Sequence, residues 1–299
     1  MIGNVFNLKQ LEALVWVADL GTFRKAAAHL NTTQPNISSR IAGLESSLGV
    51  VLMQRDAGSV RMTAKGADIL AEARKILRQS EGLLQVAQRP DLIEDRLRLG
   101  VTELVASTWL HTYLRRLKDA YPAVSVELTV DLSRQLDREL SARTLDLTIQ
   151  TAPFASKASG IIELGKFEYV WVGTSESLSG LAGHVSVAEL IPRSILTHAR
   201  NTQAYGELVE YAEARSLPTT RFVPSNSMAA CVQMAINGLG IALLPRSLVT
   251  TDLAAGRLQE VQVDWTPAPL RFAARYQAER VAGFVAHSAQ LAADVLADV

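Results

Sequence analysis

The chain has 299 residues, 48% of them hydrophobic and 20% charged, with 30 Lys/Arg against 30 Asp/Glu. That length exceeds one ordinary core, and that composition excludes a disordered chain. The single cysteine, Cys231, excludes an intrachain disulfide and a multi-cysteine metal cluster. No apolar run is long enough to span a bilayer, and "MIGNVFNLKQ" lacks the basic start and apolar stretch of a signal peptide, so a cytoplasmic protein without a membrane partner is expected. The balanced charge hides a split: residues 1–90 carry 11 Lys/Arg against 7 Asp/Glu, and residues 91–299 carry 19 against 23. An anionic partner therefore belongs with the N-terminal part.

"NLKQLEALVWVADLG" repeats apolar residues at helical spacing, with Asn7 and Gln10 set as a capping box and Gly21 as the stop. Thr22 caps "FRKAAAHL", whose small Ala26 and Ala27 let a neighbouring helix come close. After the break "NTT", Thr33 caps a third helix with Pro35 in its first turn, where a missing amide costs nothing. Ile37, Ile41, Leu44 and Leu48 form its inner stripe, while Gln34, Asn36, Ser38, Ser39 and Arg40 point the other way. Short helices around a tight polar turn make a helix-turn-helix, and amide and guanidinium groups at the second helix's start suit base edges. On the pattern alone, a solvated face of a plain three-helix bundle fits equally. The next stretch, "VVLMQRDAGSVRMTAKG", reads as a hairpin turning at Asp56-Ala57-Gly58-Ser59 with Arg55 and Arg61 beside the tip, placed for phosphates. That favours a winged helix-turn-helix.

Over Leu8–Gly66 the order "FRKAAAHLNTTQPNIS…LESSLG", followed by "VRMTAKG", resembles the DNA-binding domain of the LysR-type transcriptional regulators. It departs from the usual pattern at Asn36, Ser39-Arg40 and Met53. The resemblance implies double-stranded DNA as a partner. It puts Gln34, Pro35 and Ser38 at the recognition helix and Arg55 and Arg61 on the wing; Thr33, Asn36, Ser39 and Arg40 complete the expected DNA-contacting set.

Thr63 can cap a long helix running to about Arg89, where Pro90 stops it. Leu70, Leu77 and Leu84 repeat every seven residues with Ala73 and Ser80 between, a seam expected to pair with a twin helix. The resemblance implies the same dimerising linker, in a dimer or a dimer of dimers.

From Arg96 the pattern alternates strands and helices, an α/β fold with largely parallel sheets. "LRLGVT", "YP", "LDLTI" and "NGLGIALLP" carry a looser likeness to the regulatory domain of the same family, which implies a periplasmic-binding-protein-like pair of subdomains around a small-molecule cleft. The expected division is a DNA-binding domain at 1–65, a linker helix at 66–90 and an effector-binding domain at 91–299. Subdomain I covers about 91–167 and 268–299, and subdomain II about 168–267. Ligands in such sheets gather at strand ends and helix starts. That selects Thr102, Glu103, Ser107, Gln150, Thr151, Thr197, His198, Arg200, Asn226 and Ser227. Each Ser or Thr alone reads as a helix cap; together they outline a cleft, and Arg200 suits a small carboxylate effector. Glu103 sits awkwardly with an anion: it pairs with Arg200, faces solvent, or marks an effector with an amino group.

Enzyme chemistry has no positive signal. "GLGIAL" lacks a third glycine and precedes a strand, no nucleotide or protease motif is found, and the five His lack ligand spacing, so neither cofactor nor metal is expected. The other reading is a small-molecule binding protein or enzyme using its N-terminal helices only for oligomerisation.

Overall fold

The computed structural model describes residues 5–56, 59–87, 89–181, 183–278 and 283–298. The wing tip Ala57-Gly58 lies outside the described residues, and so do the side chains of Arg55, Asp56 and Ser59.

The head begins with α1 (Leu8–Leu20), α2 (Phe23–His29) and α3 (Gln34–Leu48). Each helix starts on a local cap. The Asn7 side chain accepts from the Gln10 amide at 3.1 Å while Gln10 accepts from the Asn7 amide at 2.9 Å. Thr22 and Thr33 accept from the amides of Lys25 and Asn36. The turn into α3 holds Asn31 at a φ of 46°, a left-handed conformation that asparagine tolerates. Leu14, Ala26, Ile37 and Leu44 meet in one core. The antiparallel wing, β1 (Met53–Asp56) and β2 (Ser59–Met62), is tied back by the Val60 amide, which donates to the Gly21 carbonyl at 3.2 Å.

Helix α4 (Ala64–Val86) starts on Thr63, whose hydroxyl accepts from the Gly66 amide at 2.9 Å. A Cβ on Gly66 would lie 1.9 Å from the Leu52 carbonyl oxygen, so only glycine lets the helix sit this close. The α4 stripe expected to pair with a twin helix is covered in part by this chain's own cores. Leu70 and Ala73 are buried in the head's own core, with Leu77 packed against it. Ser80 donates to the Leu77 carbonyl, and Leu84 packs against the core of the regulatory domain. A heptad stripe reads the same whether it is covered by a twin or by its own domain. Large apolar side chains that α4 leaves exposed include Leu83 and Val86, at 68% and 84%.

The regulatory part opens with β3 (Arg96–Val101), α5 (Glu103–Ser107), α6 (Leu110–Ala120), β4 (Ser125–Val130), α7 (Ser133–Ala142), β5 (Leu147–Thr151) and β6 (Gly160–Phe167). It continues through β7 (Tyr169–Gly173), α8 (Val187–Leu190), β8 (Ile195–His198), α9 (Gln203–Glu213), β9 (Phe222–Ser225) and α10 (Met228–Ile236). It closes with β10 (Ile241–Pro245), α11 (Arg246–Ala254), β11 (Gln259–Val261), β12 (Leu270–Tyr276) and α12 (Gly283–Ala297). Two five-stranded sheets result, ordered β4-β3-β5-β12-β6 and β11-β7-β10-β8-β9. The chain passes from one to the other between β6 and β7 and returns between β11 and β12.

The sheets are mixed where largely parallel ones were expected. β3 runs parallel to β4 and β5, and β8 to β9 and β10. The strands next to the crossings are antiparallel to their neighbours: β12 to β5 and β6, and β7 to β10 and β11. A chain that leaves one sheet and re-enters it between existing strands has no crossover helix to impose parallel pairing there.

Candidate DNA-binding face and effector cleft

On α3, Gln34, Pro35, Asn36 and Ser39 are exposed, as is Thr33 before it, while Ser38 and Arg40 are half-buried. These side chains lie opposite the buried Ile37-Ile41-Leu44 stripe. The Asn36 amide nitrogen donates to Thr32 at 3.1 Å, which leaves its carbonyl oxygen to accept. Arg40 leans on α1: burial pushes the Glu12 carboxyl up, and the nearby Arg40 and Lys9 charges partly counter it. Arg61 is exposed on the wing.

The head also touches the regulatory domain. His29, whose ring lies tilted against that of Trp16 within the head, brings its Nε2 to 3.8 Å from Asp95, and Arg143 reaches Asp19 at 3.5 Å. Burial, with the Arg98 charge, pulls the His29 imidazole down to about 4. Burial pushes the Asp95 carboxyl up to about 7. Between those values both groups are uncharged, and the contact is a neutral polar one.

Between the two sheets lies a cavity of about 850 Å³. Six of the ten residues selected from the sequence line it: Thr102, Glu103, Thr151, His198, Arg200 and Asn226. The other four do not. Thr197 and Gln150 are buried, because successive strand side chains face opposite ways and the cleft takes their neighbours His198 and Thr151. Ser107 ends α5 and is exposed, correcting the expectation that it opens a helix. Ser227 caps α10 and donates to Glu103. Sequence reasoning missed Ser133 and Arg134 at the start of α7, and Phe154 and Gln203. The strand-end rule applied after β4 would have found Ser133, which opens α7.

Glu103 does not pair with Arg200; it reaches across the cleft to the start of α10. Its Oε1 accepts from the Ser227 hydroxyl at 2.9 Å and the Ala229 amide at 3.1 Å, and its Oε2 accepts from the Met228 amide at 2.6 Å. A carboxylate on the first sheet's α5 thus caps a helix of the second sheet. Arg200 instead donates to the Tyr205 hydroxyl at 2.9 Å. His198 Nε2 and Thr102 Oγ1 are buried and without a hydrogen-bond partner in the structure. Beneath the cleft, the buried Asp137 receives the Arg275 guanidinium, the Ser156 amide and hydroxyl, and the Gln150 amide at 3.3 Å. Burial alone would raise the Asp137 carboxyl; the Ser156 and Arg275 hydrogen bonds outweigh it and hold it low.

A winged helix-turn-helix on a two-lobed body with a cleft large enough for a small molecule defines a ligand-responsive DNA-binding regulator. Residues 8–67 match the profile described as a bacterial regulatory helix-turn-helix protein of the lysR family, and residues 90–292 match the LysR substrate binding domain. The chain belongs to the LysR family, whose members are transcriptional regulators with a DNA-binding head and an effector-binding domain. A "Probable hydrogen peroxide-inducible genes activator" of Streptomyces viridosporus is 31% identical over 266 residues, covering 84% of this chain and 82% of the relative. The transcriptional regulator CzcR of Bacillus thuringiensis is 27% identical, covering 85% and 83%. Among solved structures, a full-length OxyR variant from Pseudomonas aeruginosa shares the fold with a TM-score of 0.62 at 22% identity, covering 97% of this chain and 94% of that one. Full-length CbnR complexed with its target DNA does so with a TM-score of 0.52 at 20% identity, covering 97% and 100%. Among the described residues no helix is long and apolar enough to cross a membrane.

Proposed function

We propose that this regulator reads its operator with Gln34, Pro35, Asn36, Ser38, Ser39 and Arg40, anchors on phosphates with Thr33, Arg55 and Arg61, and takes its effector between the two regulatory sheets. The observation that carries the reading is the exposed polar face of α3 set opposite its buried stripe, on a head joined by α4 to a domain with an internal cleft. The expected division into residues 1–65, 66–90 and 91–299 goes with it. The effector acts by binding two arrangements of the lobes with different affinity. The protein works in the cytoplasm, as a regulator without catalysis, and as a homo-oligomer. The exposed Val126, Leu128 and Val130 on the edge strand β4, with Leu83 and Val86 on α4, supply apolar surface for assembly.

Two relatives are named for hydrogen peroxide. This chain's signal is a different one. Its single Cys231 is fully buried, burial pushes its thiol up, and its sulfur donates to the Thr197 carbonyl at 3.5 Å. A buried protonated thiol is a poor nucleophile, and one cysteine cannot close an intrachain disulfide.

Gln34→Ala is expected to weaken binding to the DNA upstream of the protein's own gene by about 1–3 kcal/mol, and affinity should fall steeply with log salt. Fluorescence anisotropy measures both. An unchanged Gln34→Ala titration removes that residue from the reading set, and a salt-independent one removes the DNA-binding role of the head.

A further inference from the structure

We propose that Glu103 is a built-in occupant of the cleft's anion subsite, and that it makes the cleft select an effector bearing a hydrogen-bond donor there instead of a carboxylate. The inference rests on the reading of this cleft as the effector site.

The start of α10 offers the Met228 and Ala229 amides and the Ser227 hydroxyl in one place, a ready receptor for a carboxylate. All three donate to Glu103. An effector carboxylate arriving at the same spot would find the donors used and a like charge in place. Glu103 accepts three hydrogen bonds, so about one of a carboxylate's four lone-pair positions is left for a donor from a ligand.

A second observation places ligand chemistry beside it. His198 lines the same cavity, is 8% exposed, and its Nε2 has no partner in the structure. Thr102 Oγ1, next to Glu103 in the chain, is likewise buried and unpartnered. Buried polar atoms without a partner are costly, so an effector group that reached these two would relieve that cost. The cations of the cleft, Arg200 and Arg134, are exposed. The effector class that fits carries a hydroxyl or amine toward Glu103, His198 and Thr102, and places any acidic group at the arginines.

The test empties the subsite in the full-length protein. Glu103→Ala frees the α10 amides, and acetate replaces chloride at constant ionic strength. The expected result is a saturable rise in the melting midpoint of Glu103→Ala, about 2–3 °C at ten times the dissociation constant. Wild type and Glu103→Gln, whose subsite stays filled, should not respond. If Glu103→Ala is too unstable to melt cooperatively, acetate should restore its cooperative transition where chloride does not. Absence of both the rise and the rescue overturns the proposal, and so does an equal rise in wild type. This titration uses neither effector nor DNA. A positive result with acetate-insensitive operator binding by Glu103→Ala would keep the subsite and count against the cleft as the control site.

Discussion

The head and the cleft use the same physical device at opposite ranges along the chain. In the head, each helix start is satisfied by a side chain three residues away: Asn7 for α1, Thr22 for α2, Thr33 for α3 and Thr63 for α4. In the cleft, α10 is satisfied in part by Glu103, more than 120 residues earlier and on the other sheet. A local cap helps form a helix wherever the rest of the chain goes. A distant one exists only after both lobes are built and brought together, so it ties their relative position to the helix it satisfies. The head is held by neighbours in sequence and the cleft by agreement between remote segments.

The largest expected effect belongs to the remote kind. Arg275→Leu leaves Asp137 buried and without its counter-charge, and should cost about 3–5 kcal/mol in urea denaturation. Adding Asp137→Leu should recover much of it. If the double variant is as unstable as the single, the pair is not the source of the loss. In the head, Gly66→Ala pushes a methyl group into the Leu52 carbonyl, and a loss of about 1–3 kcal/mol is expected. A variant of unchanged stability would show that α4 can shift away from β1 at no cost.

The contact between the two regions is tested by pH. His29 titrates near 6.5 when unfolded and about 4 when folded, so the unfolded chain takes the proton first and acid removes stability between those values. Asp95 runs the other way: its folded value of about 7 lies above the ordinary 3.8, so the native state takes the proton first and acid adds stability. The two nearly cancel from pH 6.5 to 4. Asp95→Asn removes the compensating half, and on going from pH 7 to 5 it should lose about 1–2 kcal/mol that wild type keeps. Identical pH profiles would mean that the head does not rest on the regulatory domain in solution. The smallest effect is Thr33→Ala, about 1 kcal/mol, seen as earlier thermal loss of operator binding. No change would show that the Thr33 bond to the Asn36 amide, 3.4 Å long, contributes little.

This contrast also explains what was legible in the sequence. Caps at fixed short spacing, the α3 stripe and the wing hairpin could be read directly, because their causes lie within a few residues. Six cleft residues could be read from strand ends. Which of two adjacent strand residues faces the cleft could not, since Thr197 and His198, or Gln150 and Thr151, differ only in phase. Gly240 stands where a Cβ would lie 2.5 Å from the Ser194 carbonyl oxygen, a close approach that no local pattern announces. Strand β6, whose run "GIIELGKF" carries two glycines, pairs with β12, more than 100 positions away, so its place in the sheet is not a local property. The role of Glu103 was out of reach for the same reason.

Helix α4 is anchored at both ends, Leu70 and Ala73 in the head and Leu84 in the regulatory core, with Glu81 accepting the Gly283 amide at the start of α12. At 1.5 Å per residue its 23 residues make a rod about 34 Å long. A tilt of about 10° at the regulatory end would swing the far end by about 6 Å, close to two base-pair steps. A rod of that length would act as a lever: a small tilt at the regulatory end would become an offset of the reading head comparable to the spacing of the bases it reads.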